Sequence, residues 1–260
     1  MIESFIEVSG CKVRLMRGGA GPTVVYLHGA GGAGATTQPF LAKLAESASV
    51  IAPEHPGYGQ SGEPDWLDNI HDMAYFYLDL FEQLDLRDIH LAGNSMGGWI
   101  AMEIAVRNAS RLKSLTIFGA AGVRPAPGVE PGDIFLWSPE ERVRNSFHDK
   151  ALIEKVLAMP APTPAAAETN LKNMHTTARL GWEPRFFDPH LHKWLHRIKV
   201  PTQIVWADDD KILPVAQAER IKALIPGSRL TIFERCGHLA HVEKPDQFAA
   251  AILDTVKRAA

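Results

Sequence analysis

HLAGNSMGGW, His90 to Trp99, is the stretch on which the fold turns. Half of it is Gly, Ala or Ser. DIHLA before it is a short apolar run of strand type, and MGGWIAMEIAVRNA after it carries apolar residues at helical spacing. Small residues at such a junction can serve close packing alone, or they can hold Ser95 out on a sharp turn. Gly93-Asn94-Ser95-Met96-Gly97 fits G-x-S-x-G in the strand–turn–helix context that gives this pattern meaning. A side chain at either glycine would crowd the crossing of strand and helix. The turn lifts the Ser95 hydroxyl clear and aims the Met96 N–H, at a helix N-terminus, toward the space in front of it.

Outward from this turn, strands and helices alternate. FIEV and CKVRLMR alternate in polarity like a hairpin around Ser9-Gly10. TVVYLHG and SVIAPEHPGYG begin as continuous apolar runs, as strands buried on both faces do. Ile70, Met73, Tyr77, Leu80, Phe81 and Leu84 mark a helix, and LKSLTIFGAAG a further strand. PTQIVWA, PVAQAERIKALI, RLTIFE and a helix from Asp246 to Lys257 resume the pattern. The alternation predicts a mainly parallel sheet covered on both faces. Residues 123–197 break it. They hold half of the eighteen prolines and no clean strand. Helical pieces are expected around Ser138 to Phe147, Lys150 to Ala158, Ala165 to Arg179 and His190 to His196. The reading is an α/β core, 1–122 and 198–260, with a helical insertion, 123–197, over the sheet.

The chain as a whole excludes several classes. It has 260 residues, 46% hydrophobic and 22% charged, with a formal net charge of -3. That balance does not suit nucleic acid. No apolar run reaches membrane-helix length, and MIESFIEVSG has neither the basic start nor the apolar stretch of a secretory signal. Two cysteines, Cys11 and Cys236, make no disulfide framework or metal spacing. A cytoplasmic location is expected. Oligomeric state is not encoded legibly.

In open α/β sheets, sites form at the carboxyl ends of strands. Besides Ser95, three such ends carry chemistry. YLHGAGG suits an oxyanion donor, the Ala30 N–H with Gly31 as the alternative. It lacks the G-K-[ST] of a phosphate loop. His28 beneath it reads as buried scaffold. WADDDKILP offers Asp208, Asp209 and Asp210, of which Asp210 is favoured as the acid that orients a catalytic imidazole. The other strand end where an acid could stand reads GAAG. RCGHLAHVEKP supplies His238 as base. His241 lies beside the site or exposed, and Cys236 is a packed residue. In the insertion, Phe135, Trp137, Phe147, Met174 and Trp182 are candidates for an apolar pocket, each equally suited to the insertion's own core. Gly31 and Leu239 join the substrate-binding candidates. His192 and His196 fit an exposed face better than a zinc pair, and no metal is expected. Arg179 and Arg185 could each meet an acidic substrate, and their positions do not choose between them.

Together these residues resemble the α/β-hydrolase fold family. The chain order Ser95, Asp210, His238 is the family's order, HGAGG matches its oxyanion loop, and Asp210 with KILP matches its acid motif. Trp206-Ala207 departs from the Trp-Gly common before that acid. The resemblance implies an eight-stranded, mostly parallel sheet with a helical lid at 123–197. Serine at the elbow, where dehalogenases and epoxide hydrolases of the family carry aspartate, implies an acyl-enzyme on a small acyl substrate with no cofactor: an ester, lactone, thioester or activated ketone. GNSMGG also resembles the meta-cleavage-product hydrolases, which cut C–C bonds, but Gly32 and Leu239 stand where those enzymes commonly have proline and tryptophan. The fold also hosts non-enzymatic receptors, a further alternative.

Overall fold

The computed structural model describes residues 1–259. Strands β1 (Ile2–Val8) and β2 (Cys11–Gly18) form the expected hairpin, with Val8 facing Cys11 across a turn in which Ser9 and Gly10 both have positive φ. Two successive left-handed residues match the right-handed twist of the strands they join. Then come β3 (Thr23–Leu27), helix α1 (Gln38–Ala45), β4 (Ser49–Pro53), α2 (Ile70–Gln83), β5 (Ile89–Asn94), α3 (Met96–Arg107) and β6 (Leu112–Phe118). After a two-residue strand β7 (Gly122–Val123) follow α4 (Pro139–Ser146), α5 (Lys150–Leu157), α6 (Pro164–Gly181) and a second short strand β8 (Phe187–Asp188). β9 (Thr202–Ala207), α7 (Ala216–Leu224), β10 (Arg229–Phe233), α8 (Ala240–Glu243) and α9 (Pro245–Arg258) close the chain.

The main sheet has eight strands in the order β1-β2-β4-β3-β5-β6-β9-β10. Only β2 runs against the others. The interior strands β5 and β9 are buried at every residue, which is why their sequences are continuous rather than alternating. Helices α2 and α3 cover one face. α1 and α9 cover the other, where Phe118 stacks on Phe248 with ring centroids 3.7 Å apart. No helix among the described residues is long and apolar enough to cross a membrane.

Residues between β6 and β9 depart from expectation in two places. His190 to His196 is not one helix but two 3-10 turns, Leu191–Lys193 and Leu195–Arg197. The tighter turns drop Leu191, Leu195 and Ile198 into the core beside α2 and α3. The segment also holds a strand: β7 and β8 pair in parallel, Gly122 with Phe187. Gly122 (φ 99°) is required there, because a Cβ would overlap the Trp99 ring. The longest helix, α6, is fastened to core loops. Lys172 Nζ donates to Gly59 O (3.0 Å) and Ser61 O (2.6 Å), and Thr176 Oγ1 to Gly57 O (2.7 Å). Asn173 accepts from Gly59 N (2.9 Å) and donates to Gly31 O (3.3 Å).

Candidate active site

Ser95 follows β5 and caps α3 with φ 54° and ψ −119°, a conformation that costs a non-glycine residue and is kept only where its surroundings enforce it. Three bonds enforce it. Its N–H donates to Phe118 O (2.8 Å), and its carbonyl accepts from Trp99 N and Ala121 N (both 3.1 Å). The flanking glycines have the role read from the sequence. A Cβ on Gly93 would overlap the Gly97 carbonyl, and one on Gly97 would overlap Leu27 O.

Gly119 follows Phe118, whose carbonyl holds Ser95. A Cβ there would lie 3.1 Å from Asp210 Oδ2 and 3.4 Å from His238 Nδ1. The strand end that offered no carboxylate is thus the floor over which the acid and the imidazole meet. Asp210 Oδ2 lies 2.7 Å from His238 Nδ1, while Asp210 Oδ1 accepts from Ile212 N (3.0 Å) and Leu213 N (2.8 Å). Both side chains are nearly sealed from solvent. The three aspartates are sorted by their bonds. Asp208 accepts from Arg235 N (2.8 Å) and Cys236 N (3.1 Å), which anchors the histidine loop. Asp209 meets His148 Nδ1 at 2.9 Å.

Glu243 was not singled out by the sequence reading. Its carboxylate accepts from Gly237 N (2.5 Å), His148 N (2.9 Å) and Asp149 N (2.8 Å), so one side chain clamps the His238 loop to the end of α4. The only sequence signal is its place five residues after His238, on the short turn before Pro245.

On the other side of Ser95 runs the loop after β3. A Cβ on Gly29 would stand 3.2 Å from Ser95 Cβ, so the loop and the serine are neighbours. The amides of Ala30, Gly31 and Met96 donate to no group among the described residues. His28 beneath is fully buried. Its Nδ1 bonds Gly29 O (2.7 Å) and its Nε2 accepts from His55 N (2.9 Å). Burial holds its pKa down at about 4, so it stays neutral, as scaffold should. His55 is pushed well down by burial too, and bonds His28 O and Tyr77 Oη.

A cavity of about 700 Å³ opens over Ser95 and His238. Gly31, Met174, Leu239 and Phe135 line it, as read from the sequence. Trp137 does not: its ring packs on Gly132, where a Cβ would collide with it. Phe147 is buried elsewhere, and Trp182 is half exposed. Phe147 thus serves local packing, while the Trp182 ring backs Phe135 and Arg185 of the cavity wall from outside. His241 is neither exposed nor hydrogen-bonded at Nδ1. It is buried between Phe40 and Phe248, and burial first, then His238, lowers its pKa to about 3. Cys236 is packed, its thiol pushed up to about 12 by burial.

One group among the described residues has metal-ligand composition. His71 Nε2 lies 3.0 Å from Asp188 Oδ2 and 3.7 Å from Glu103 Oε1. Glu103 is already held by Trp99 Nε1 (3.0 Å) and by Arg107, so the group acts as a charge network fastening β8 to α2 and α3.

A model of the alpha/beta hydrolase family matches residues 24–251. The chain belongs to the α/β-hydrolase family. Among curated relatives, this α/β hydrolase is 29% identical to a 2-hydroxy-6-oxo-6-(2'-aminophenyl)hexa-2,4-dienoic acid hydrolase of Metapseudomonas resinovorans, over 100% of this chain and 92% of the relative. It is 26% identical to a 2-hydroxy-6-oxo-2,4-heptadienoate hydrolase of Pseudomonas putida, over 97% and 95%. Among solved structures, a membrane phospholipase A superposes with a TM-score of 0.83 at 25% identity, over 99% of this chain and 86% of the other.

Proposed function

We propose that the protein is a serine hydrolase that cleaves a small carboxylic ester, or a related lactone or thioester, through an acyl-enzyme on Ser95. The observation that carries this reading is the Asp210–His238 contact of 2.7 Å, seated on Gly119 one residue beyond the carbonyl that holds the Ser95 turn. Asp210 fixes the His238 tautomer by accepting from Nδ1, which leaves Nε2 as the base. His238 takes the Ser95 proton as Oγ attacks the acyl carbon. The uncommitted Ala30 and Met96 amides receive the oxyanion. The imidazolium, steadied by Asp210, then protonates the leaving alcohol, and the neutral imidazole activates a water that frees the acid. In this reading residues 123–197 act as the lid, and Gly31, Met174 and Leu239 contact the substrate.

A fluorophosphonate should label Ser95 in the folded protein, and Ser95→Ala should abolish hydrolysis of p-nitrophenyl esters. An unlabelled serine, or an alanine variant with full activity, sinks the reading. Ligand-induced stabilisation without any turnover would point to a receptor instead.

C–C bond hydrolysis is the second reading. Two relatives named for dienoate hydrolysis span nearly the whole chain, and Asn94 and Met96 give the turn the look of that group. Gly32 and Leu239 give it no support. Loss of the visible absorbance of a ring-fission dienoate, faster than ester turnover, would favour it.

A further inference from the structure

The cavity over Ser95 has a charge balance that acyl transfer alone does not use. Apart from histidines, its charged wall residues are Asp133, Arg142 and Arg185, all from residues 123–197. Two cations face one anion, in a chain whose formal net charge is -3. The wall around them is otherwise neutral and largely apolar, with Phe135, Val143 and Phe186.

Neither guanidinium is fully committed. Arg185 Nε pairs with Asp133 Oδ2 at 3.2 Å, while its Nη1 is buried with no hydrogen-bond partner. Its Cζ lies 4.0 Å above the Trp182 ring and 5.0 Å from that of Phe135. This stacking fixes the guanidinium plane without using its donors. Among the described residues Arg142 has no carboxylate partner, and Nη1 reaches only the Met174 sulfur at 3.6 Å, a weak acceptor. Arg179, the other candidate from the sequence, is spent elsewhere. It donates to Leu67 O (3.1 Å), approaches Glu63 at 4.0 Å, and does not line the cavity.

An uncompensated cation in a partly buried apolar wall is unfavourable until an anion joins it. Resting on the acyl-hydrolase reading of Ser95, we propose that the substrate carries a free carboxylate, received by Arg185 with Arg142 while its acyl carbon lies at Ser95. One excess positive charge matches one carboxylate rather than a phosphate dianion, and a planar guanidinium suits a carboxylate's two oxygens. The substrate class is then a half-ester of a dicarboxylic acid or a similar acyl compound with one free acid.

The test is calorimetric binding to Ser95→Ala protein, which needs no turnover. Monomethyl adipate and its neutral isosteric amide are compared at low salt. The acid should bind at least about tenfold more tightly than the amide. The preference should shrink as salt rises, vanish in Ser95→Ala/Arg185→Gln, and return in part with Arg185→Lys. Equal binding of acid and amide, binding of neither, or a preference that survives Arg185→Gln combined with Arg142→Gln overturns the proposal. Should Arg185→Gln fail to fold, Arg142→Gln and the salt dependence of the parent decide it. Failure of the hydrolase reading is visible separately: wild-type Ser95 would resist the fluorophosphonate while the tenfold preference stood.

Discussion

The two walls of the cavity are built by different means. On the sheet side, position is set by backbone. Ser95 is strained into place, Gly93 and Gly97 admit their neighbours only because they lack a Cβ, and Asp210 is held by two amides. On the side of residues 123–197, position is set by side chains: Phe135, Arg142, Met174 and Arg185 reach in from helices and connections. The first wall tolerates no change of geometry, so a substitution there acts nearly all-or-none. The second can exchange side chains while the backbone stays, so substitution there grades the choice of substrate.

That contrast can be broken at several points. The largest effect is expected from Asp210→Asn, which should lower ester hydrolysis by about 10⁴-fold while leaving the fold intact. The amide oxygen can still accept from Ile212 N and Leu213 N, so circular dichroism and thermal unfolding should barely change. Gly97→Ala comes next. Its Cβ would strike the Leu27 and His28 carbonyls, and a loss of roughly 3 kcal/mol or more should appear in denaturant unfolding. An alanine accepted there at no cost would refute the backbone argument.

Glu243→Ala tests the join between the walls. Three amides would lose their acceptor, so about 2–3 kcal/mol of stability should go, with kcat falling more than KM rises as His238 loses register.

Acid should weaken the sheet side through its neutral histidines. His28 and His241 titrate at about 4 and about 3 in the fold against an ordinary 6.5. The unfolded chain therefore takes up protons first as pH falls. Their contribution is complete above pH 6.5 and is lost from there down to about 4 for His28 and about 3 for His241, by up to about 1.4 kcal/mol per pH unit each. His241→Phe should recover about 2 kcal/mol at pH 5 in thermal unfolding. The smallest effects belong to the second wall. Met174→Ala should change KM a few-fold, and Trp137→Ala, off the cavity, should leave kinetics unchanged.

Legibility in the sequence divides along the same line. Backbone constraints leave marks at fixed spacing. Ser9-Gly10 marked the hairpin, Gly93 and Gly97 the crossing, and Asp210 and His238 stand where strand ends put them. Side-chain placement leaves none. Trp137 and Met174 are equally apolar in the sequence, yet one packs on Gly132 and the other lines the cavity. Arg179 and Arg185 differ only in what surrounds them once folded. His190 to His196 has the spacing of a helix, but burying Leu191, Leu195 and Ile198 together selected tighter turns. His241 stood equally for a place beside the site or on the surface, and aromatic packing from α1 and α9 puts it in the cavity wall.

The bonds from α6 bear on how this scaffold can be recombined. Lys172, Asn173, Thr176 and Thr177 grip residues 30–31 and 57–61, so the helix is mechanically part of the core although its sequence lies within residues 123–197. A chimera that exchanges residues 123–197 as one block would strand those loop carbonyls. One that exchanges only the stretch through α4 and α5 keeps them, and offers a graft boundary just before Thr163, the side chain that caps α6.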